Sequence, residues 1–146
     1  MSEISKSDRL MQGVIPYLTI DGADAAIAFY QKALGAVIFG DIVRGDDSGK
    51  VMNASLEING GILMLNDHFP DMGEPPAKGR MGYMMHIVTQ DGQAYWDRAI
   101  TAGCEVIAPF EPQFWGDTWG RFSDPFGIDW AINQPSAENQ TKAEKL

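Results

Sequence analysis

With 146 residues, 45% of them hydrophobic, the chain is long enough for one domain with a sizeable core, or for two small halves that share one. No apolar run approaches the roughly 20 residues of a membrane helix, and the opening stretch with Lys6, Asp8 and Arg9 lacks the features of a secretory signal, so no membrane partner is expected. A net charge of −9 argues against nucleic acid, while the single cysteine, Cys104, excludes an intrachain disulfide and fits the reducing cytoplasm.

In chain order, residues 14–20 read as a strand. Asp21-Gly22 then opens a helix over 23–34, closed by Gly35, with Ala26, Phe29, Tyr30 and Leu34 at helical spacing. A short strand follows at 36–39. Met52, Ala54, Leu56 and Ile58 alternate with polar residues, which predicts a half-buried strand, and Asn59-Gly60 is a strong hairpin signal before a return strand at 62–66. Residues 83–89 begin the same plan again. Asp91-Gly92 opens a helix over 93–102, closed by Gly103, with Tyr95, Trp96, Ala99 and Ile100 on one face. Strands follow at 104–108, 120–123 and 128–133, the last two joined by the turn Asp124-Pro125-Phe126-Gly127. In both halves Asp is expected to accept backbone N–H groups at the helix start, and Gly to supply the left-handed cap.

The repeated order of elements points to duplication. The expected fold is α+β, with two βαβββ modules whose sheets form a curved, incompletely closed mixed sheet around a central cavity. The boundaries are an N-terminal extension at 1–13, a first module at 14–67, a linker at 68–79 rich in Pro and Gly, a second module at 80–133, and a frayed polar tail at 134–146.

Five stretches resemble the vicinal-oxygen-chelate superfamily, which includes glyoxalase, bleomycin-resistance proteins and dioxygenases, and within it the PhnB-like branch. They are Pro16-Tyr17-Leu18-Thr19-Ile20-Asp21-Gly22, the helix and cap from Ala26 to Ala36, Leu63-Met64-Leu65-Asn66-Asp67, Gln113-Phe114-Trp115-Gly116-Asp117, and Asp124-Pro125-Phe126-Gly127 with Trp130. Thr118 and Ile128 depart from that branch, where a larger side chain and His are usual. The methyltransferase label sometimes attached to the branch finds no support, because no Gly-rich strand-to-helix turn for an adenosyl cofactor is present.

The resemblance implies four metal-ligand positions, at Ile15, Met64, Met84 and Ala131. None offers oxygen or nitrogen, and a thioether is a poor partner for hard or borderline divalent ions, so neither a metal nor any other cofactor is expected. A relocated site would have His86, Asp129 and Asn66 to draw on, too few for a dedicated site. The same strand faces make Tyr17, Thr19, Met64, Asn66, Met84, His86, Trp119, Arg121 and Asp129 the candidate ligand-binding residues, with Ile15, Ser123, Ala131 and Asn133 beside them. His86 is read either as a ligand contact or as a buried, hydrogen-bonded wall residue. Trp115 is read as core or dimer packing in preference to ligand stacking. Arg121 is read as meeting an anion, or as pairing with Asp117 or Asp124.

No catalytic residues are assigned. Two functions stand side by side: a cytoplasmic homodimer that binds a small organic molecule without chemistry, and a lyase, isomerase or dioxygenase-type enzyme using a relocated metal or His86/Asp129 as base. A third is a packing module whose cavity its own side chains fill.

Overall fold

A computed structural model describes residues 5–45, 47–69 and 82–144. It divides into two compact units, Met1–Gln31 with Gly35–Pro76, and Lys32–Leu34 with Ala77–Leu146. Of the expected linker only residues 68 and 69 lie among the described residues.

The first unit contains α1 (Lys6–Leu10), β1 (Tyr17–Ile20), most of α2 (Ala23–Leu34), β2 (Val37–Ile38), β3 (Val43–Arg44), β4 (Val51–Ile58) and β5 (Gly61–Asp67). Its sheet runs β1-β5-β4-β2, with β3 also on β4. The β1–β5 pair is parallel and the β4–β5 pair antiparallel, so this is a mixed sheet. The Asn59-Gly60 turn forms as expected: both residues have positive φ, 50° and 78°, the pair a two-residue type I′ hairpin needs. Leu18, Ile20, Leu63, Leu65, Ala54, Leu56 and Ile58 are buried, as is the α2 stripe of Ala23, Ala26, Ile27 and Tyr30. Phe29, expected on that stripe, is only half-buried.

The second unit contains β6 (Met85–Val88), α3 (Gly92–Ala102), β7 (Glu105–Pro112), β8 (Thr118–Ser123), β9 (Asp129–Gln134) and α4 (Ala137–Glu144). Its sheet runs β6-β9-β8-β7, again with the first and last strands of the module parallel and the others antiparallel. Trp96 of α3 stacks on Phe110 with centroids 5.7 Å apart and meets Phe122 edge-on at the same distance. Each such pair adds about 0.5–1.5 kcal/mol beyond its area burial. The close approach of α3 depends on Gly120, where a Cβ would lie 2.6 Å from Trp96 and 2.7 Å from the Phe110 backbone.

Several expectations are corrected. The two opening strands start later than expected, at Tyr17 and Met85; Val14 is almost fully exposed. In β4 the alternation fails at its start, where Val51 is buried and Met52 exposed, because the pairing with β3 shifts register at Val43/Arg44. Helix starts are capped differently from the sequence expectation. The N-cap of α2 is Gly22, which has no side chain to offer, and Asp91 at the start of α3 makes no side-chain cap hydrogen bond. Instead the Ala23 N–H donates to Asp67 Oδ1 at 2.8 Å, and the Gly92 N–H to Gln134 Oε1 at 3.1 Å. Each acceptor stands at the end of the strand that pairs with the strand leading into its helix, so both modules use one tertiary solution. Finally, within the stretch expected to fray, Ala137–Glu144 forms α4, with Ser136 Oγ accepting the Asn139 N–H at its start.

Candidate functional site

In the first unit, parallel pairing sets Tyr17 beside Met64 and Thr19 beside Asn66, and antiparallel pairing sets Ser55 beside Met64. Strand alternation therefore gathers Tyr17, Thr19, Asn53, Ser55, Met64 and Asn66 on one face, opposite the buried leucines. Their polar groups already engage one another. Asn53 Nδ2 donates to the Tyr17 hydroxyl at 3.0 Å and approaches Met64 Sδ at 3.8 Å. Tyr17 in turn donates to the Met52 carbonyl, and the Thr19 hydroxyl to Asn66 Oδ1 at 3.0 Å. These six side chains are oriented dipoles without formal charge; farther along β4 the same face carries Glu57, paired with Lys6 at 2.9 Å. Asn53 is the member that sequence reasoning missed; its place opposite Ala54 in the alternation was the available signal.

In the second unit, the face away from α3 carries His86 and Val88 of β6, Asp129, Ala131 and Asn133 of β9, and Trp119, Arg121 and Ser123 of β8. His86 and Arg121 both pair across to Ala131, and Trp119 to Asn133. The partner of Arg121 is neither Asp117 nor Asp124: its Nη2 donates to Asp129 Oδ2 at 2.7 Å, with the Asp129 side chain only 5% exposed. Ser123 stands opposite Asp129, and Arg121, two residues back on β8, lies on the same face. His86 is exposed, which overturns the reading of it as a buried wall histidine. Met84 lies just before β6 and is exposed, and Ile15 lies before β1.

The two acidic residues passed over by Arg121 hold the backbone. Asp124 Oδ1 accepts the Phe126 and Ile128 N–H groups, and Oδ2 accepts the Trp130 indole N–H at 2.8 Å. This explains the Asp-Pro-Phe-Gly…Trp spacing: one carboxylate closes the turn and fixes the tryptophan. Asp117 accepts from Asn139 Nδ2 at 2.7 Å, the Ser136 N–H at 2.9 Å and Asn133 Nδ2 at 3.0 Å. Those donors, Asn139 foremost, hold its carboxyl below the ordinary carboxylate range. Beside them a cleft of about 460 Å³ opens among Val88, Thr89, Gln90, Asp117, Pro135 and Asn139, at the end of the face that carries His86. Sequence reasoning missed this cleft because it regarded α4 as a frayed tail.

Trp115 is exposed and meets Phe114 and Trp119 edge-on, at 5.0 and 6.2 Å between centroids. Phe114 is 97% exposed. Cys104 is buried, and burial, with the charge of Asp124 adding to it, pushes its thiol up to about 12. It stays protonated at neutral pH and is no nucleophile.

The metal of the superfamily does not fit these residues. Ala131 is fully buried and offers only a methyl group, Met64 is already approached by the Asn53 amide, and the other two positions are Ile15 and Met84. Among the described residues no three His, Cys, Asp or Glu side chains gather where they could hold an ion. Arg121 occupies the Asp129 carboxylate that a relocated site would have used.

The profile of the glyoxalase/bleomycin resistance protein/dioxygenase superfamily matches residues 9–132, and the chain belongs to that superfamily. An uncharacterised protein of Mycobacterium bovis is 41% identical over 128 residues, covering 84% of this chain and 83% of the relative. The crystal structure of TnmS3, an antibiotic binding protein from Streptomyces sp. CB03234, is similar with a TM-score of 0.63 and 26% identity over 86% of this chain and 97% of that one. A PhnB protein from Bacillus cereus has a TM-score of 0.66 at 17% identity, over 85% and 100% of the two chains. That likeness concerns the fold; the PhnB-like branch is one structural neighbour among several. The architecture is α+β with two mixed sheets, as in these neighbours. No helix among the described residues is long and apolar enough to cross a membrane.

Proposed function

We propose that the protein binds a small organic molecule without metal chemistry, through candidate residues on its sheet faces: Tyr17, Thr19, Met64 and Asn66 in the first unit, or His86, Trp119, Arg121 and Asp129 in the second. The observation that carries the reading is the make-up of these faces. Each face, taken by itself, sets apolar surface, Met64 in the first unit and Trp119 and Val88 in the second, beside polar groups held in direction by hydrogen bonds, a composition suited to orienting a ligand. Met64 and Met84 are compliant fillers that adapt to a flat ligand. The likeness to an antibiotic binding protein supports the same class of function. Asp129 as a general base is disfavoured by its pairing with Arg121, which leaves exposed His86 as the base that the enzyme alternative would use. The same reading places the protein in the cytoplasm, where its lone thiol is stable, and makes it a homodimer, in which the sheet edges find cover.

The test is a thermal-shift screen of the purified protein against a library of drug-sized aromatic compounds, with mass analysis of each mixture. Binding at a hundredfold excess over Kd adds about 2.7 kcal/mol of stability. The reading expects hits recovered chemically unchanged. Turnover of a hit would replace it with an enzyme, and a library without hits would overturn it.

A further inference from the structure

The cleft beside Asp117 shares no residue with the candidate ligand residues proposed above, and its lining is chemically one-sided. Asp117 is the one formally charged residue in that lining, and it is 9% exposed. A carboxylate so far removed from water is ordinarily matched by a cation. Here its donors are all neutral: the Asn139 and Asn133 amides, the Ser136 N–H and, with a smaller effect, the Trp115 side chain. None of the ion pairs among the described residues includes it. The start of α4 lies against the same carboxylate, but a helix end offsets only about half an elementary charge. The cleft therefore stays negative.

The other polar groups lean the same way. Asn139 Nδ2 is spent on Asp117 and on the Trp115 carbonyl at 2.8 Å, and Gln90 Nε2 on the Pro135 carbonyl at 3.4 Å, which leaves both amides their carbonyl oxygens as acceptors. Pro135 has no N–H to offer. The Thr89 hydroxyl and the exposed Gln140 amide can each turn an oxygen inward. Val88 and Pro135 add apolar wall, and about 460 Å³ is room for a small molecule. Acceptors, a net negative charge and an apolar wall suit a ligand with several N–H donors, a positive charge and a hydrocarbon body. We propose that this cleft binds a small free primary amine in its ammonium form, its head beside Asp117 and Asn139 and its body against Val88 and Pro135. The chain's net charge of −9 favours the encounter.

The experiment titrates the full chain, followed by amide nitrogen–proton NMR, with three probes of one shape: 3-phenylpropylamine, a cation at pH 7, neutral 3-phenylpropan-1-ol, and anionic 3-phenylpropionate. The amine is expected to bind about fivefold tighter than the alcohol, the gain of one good ion pair near a surface, and the carboxylate most weakly. The amine's shifts should centre on Thr89, Gln90 and Gln140, and its advantage should shrink at about 1 M salt. Asp117→Asn should bring the amine down to the affinity of the alcohol. Because that change also loosens α4, exposed Gln140 supplies a second pair of variants: Gln140→Glu should tighten the amine and Gln140→Lys weaken it, with the alcohol unchanged in both. Equal affinities for amine and alcohol, amine shifts centred on His86 and Trp119, Gln140 variants that both bind as wild type, or no saturable binding of the amine would each overturn the amine site and leave the reading of the sheet faces standing.

Discussion

Asp117 carries a prediction that tests how α4 is held. Replacing it with Ala removes the acceptor for Asn139 Nδ2, the Ser136 N–H and Asn133 Nδ2, at 2.7, 2.9 and 3.0 Å. A hydrogen bond to a charged group contributes about 1.5–3 kcal/mol each. The three share one carboxylate and are therefore not additive, and Asn139 can turn to water once released. The expected loss is about 3 kcal/mol, or a fall in Tm of roughly 6–12 °C for a chain of this size. Guanidinium titration followed by tryptophan fluorescence measures it, and hydrogen exchange should show the amides of α4 losing protection first. The loss also depends on pH. The folded carboxyl is depressed below its ordinary value of 3.8, so its contribution is complete above that value and disappears as pH falls through the folded pKa. The gap between wild type and Asp117→Asn should therefore be widest near neutrality and narrow below about pH 4. A loss under about 1 kcal/mol, or a gap that widens on acidification, would refute this account of α4.

Gly120→Ala places a Cβ 2.6 Å from Trp96 and 2.7–2.8 Å from the Phe110 backbone, and backbone cannot swing aside; about 2–3 kcal/mol of destabilisation is expected. Gly61→Ala, where the nearest atom is 3.8 Å away, should stay within about 0.5 kcal/mol of wild type, and equal effects at the two glycines would contradict the close approach of α3. Asp124→Ala strands two backbone N–H groups and the Trp130 indole, which should cost about 2–4 kcal/mol and weaken the near-ultraviolet dichroism of Trp130. Cys104, with its thiol pushed up to about 12, should react with a disulfide reagent at pH 8 far more slowly in the native protein than in guanidinium; comparable rates would show that it is not buried.

The module plan was legible because its signals are local. Both helices, the caps at Gly35 and Gly103 with positive φ, and the Asn59-Gly60 turn all depend on residues within a turn or two of one another. Which strand faces carry Tyr17 with Met64, or Arg121 with Ala131, also followed from alternation, because a strand's period of two fixes the face once the register is known. Met52 escaped for the same reason, since the register shift beside Val43 is a property of two strands together.

Sequence alone, then, determined an α+β architecture of two mixed sheets, a mixed polar and apolar face in each half, and the lack of oxygen or nitrogen donors at the four positions that the resemblance implies for a metal. Tertiary structure decided the partners. Asp67 and Gln134 reach back 44 and 42 residues to cap α2 and α3, Arg121 chooses Asp129 over two other carboxylates, and Asp117 orders a polar tail into α4. Composition is silent on these choices because a charged or amide side chain finds its partner through strand register and burial, and both exist only once distant segments have paired.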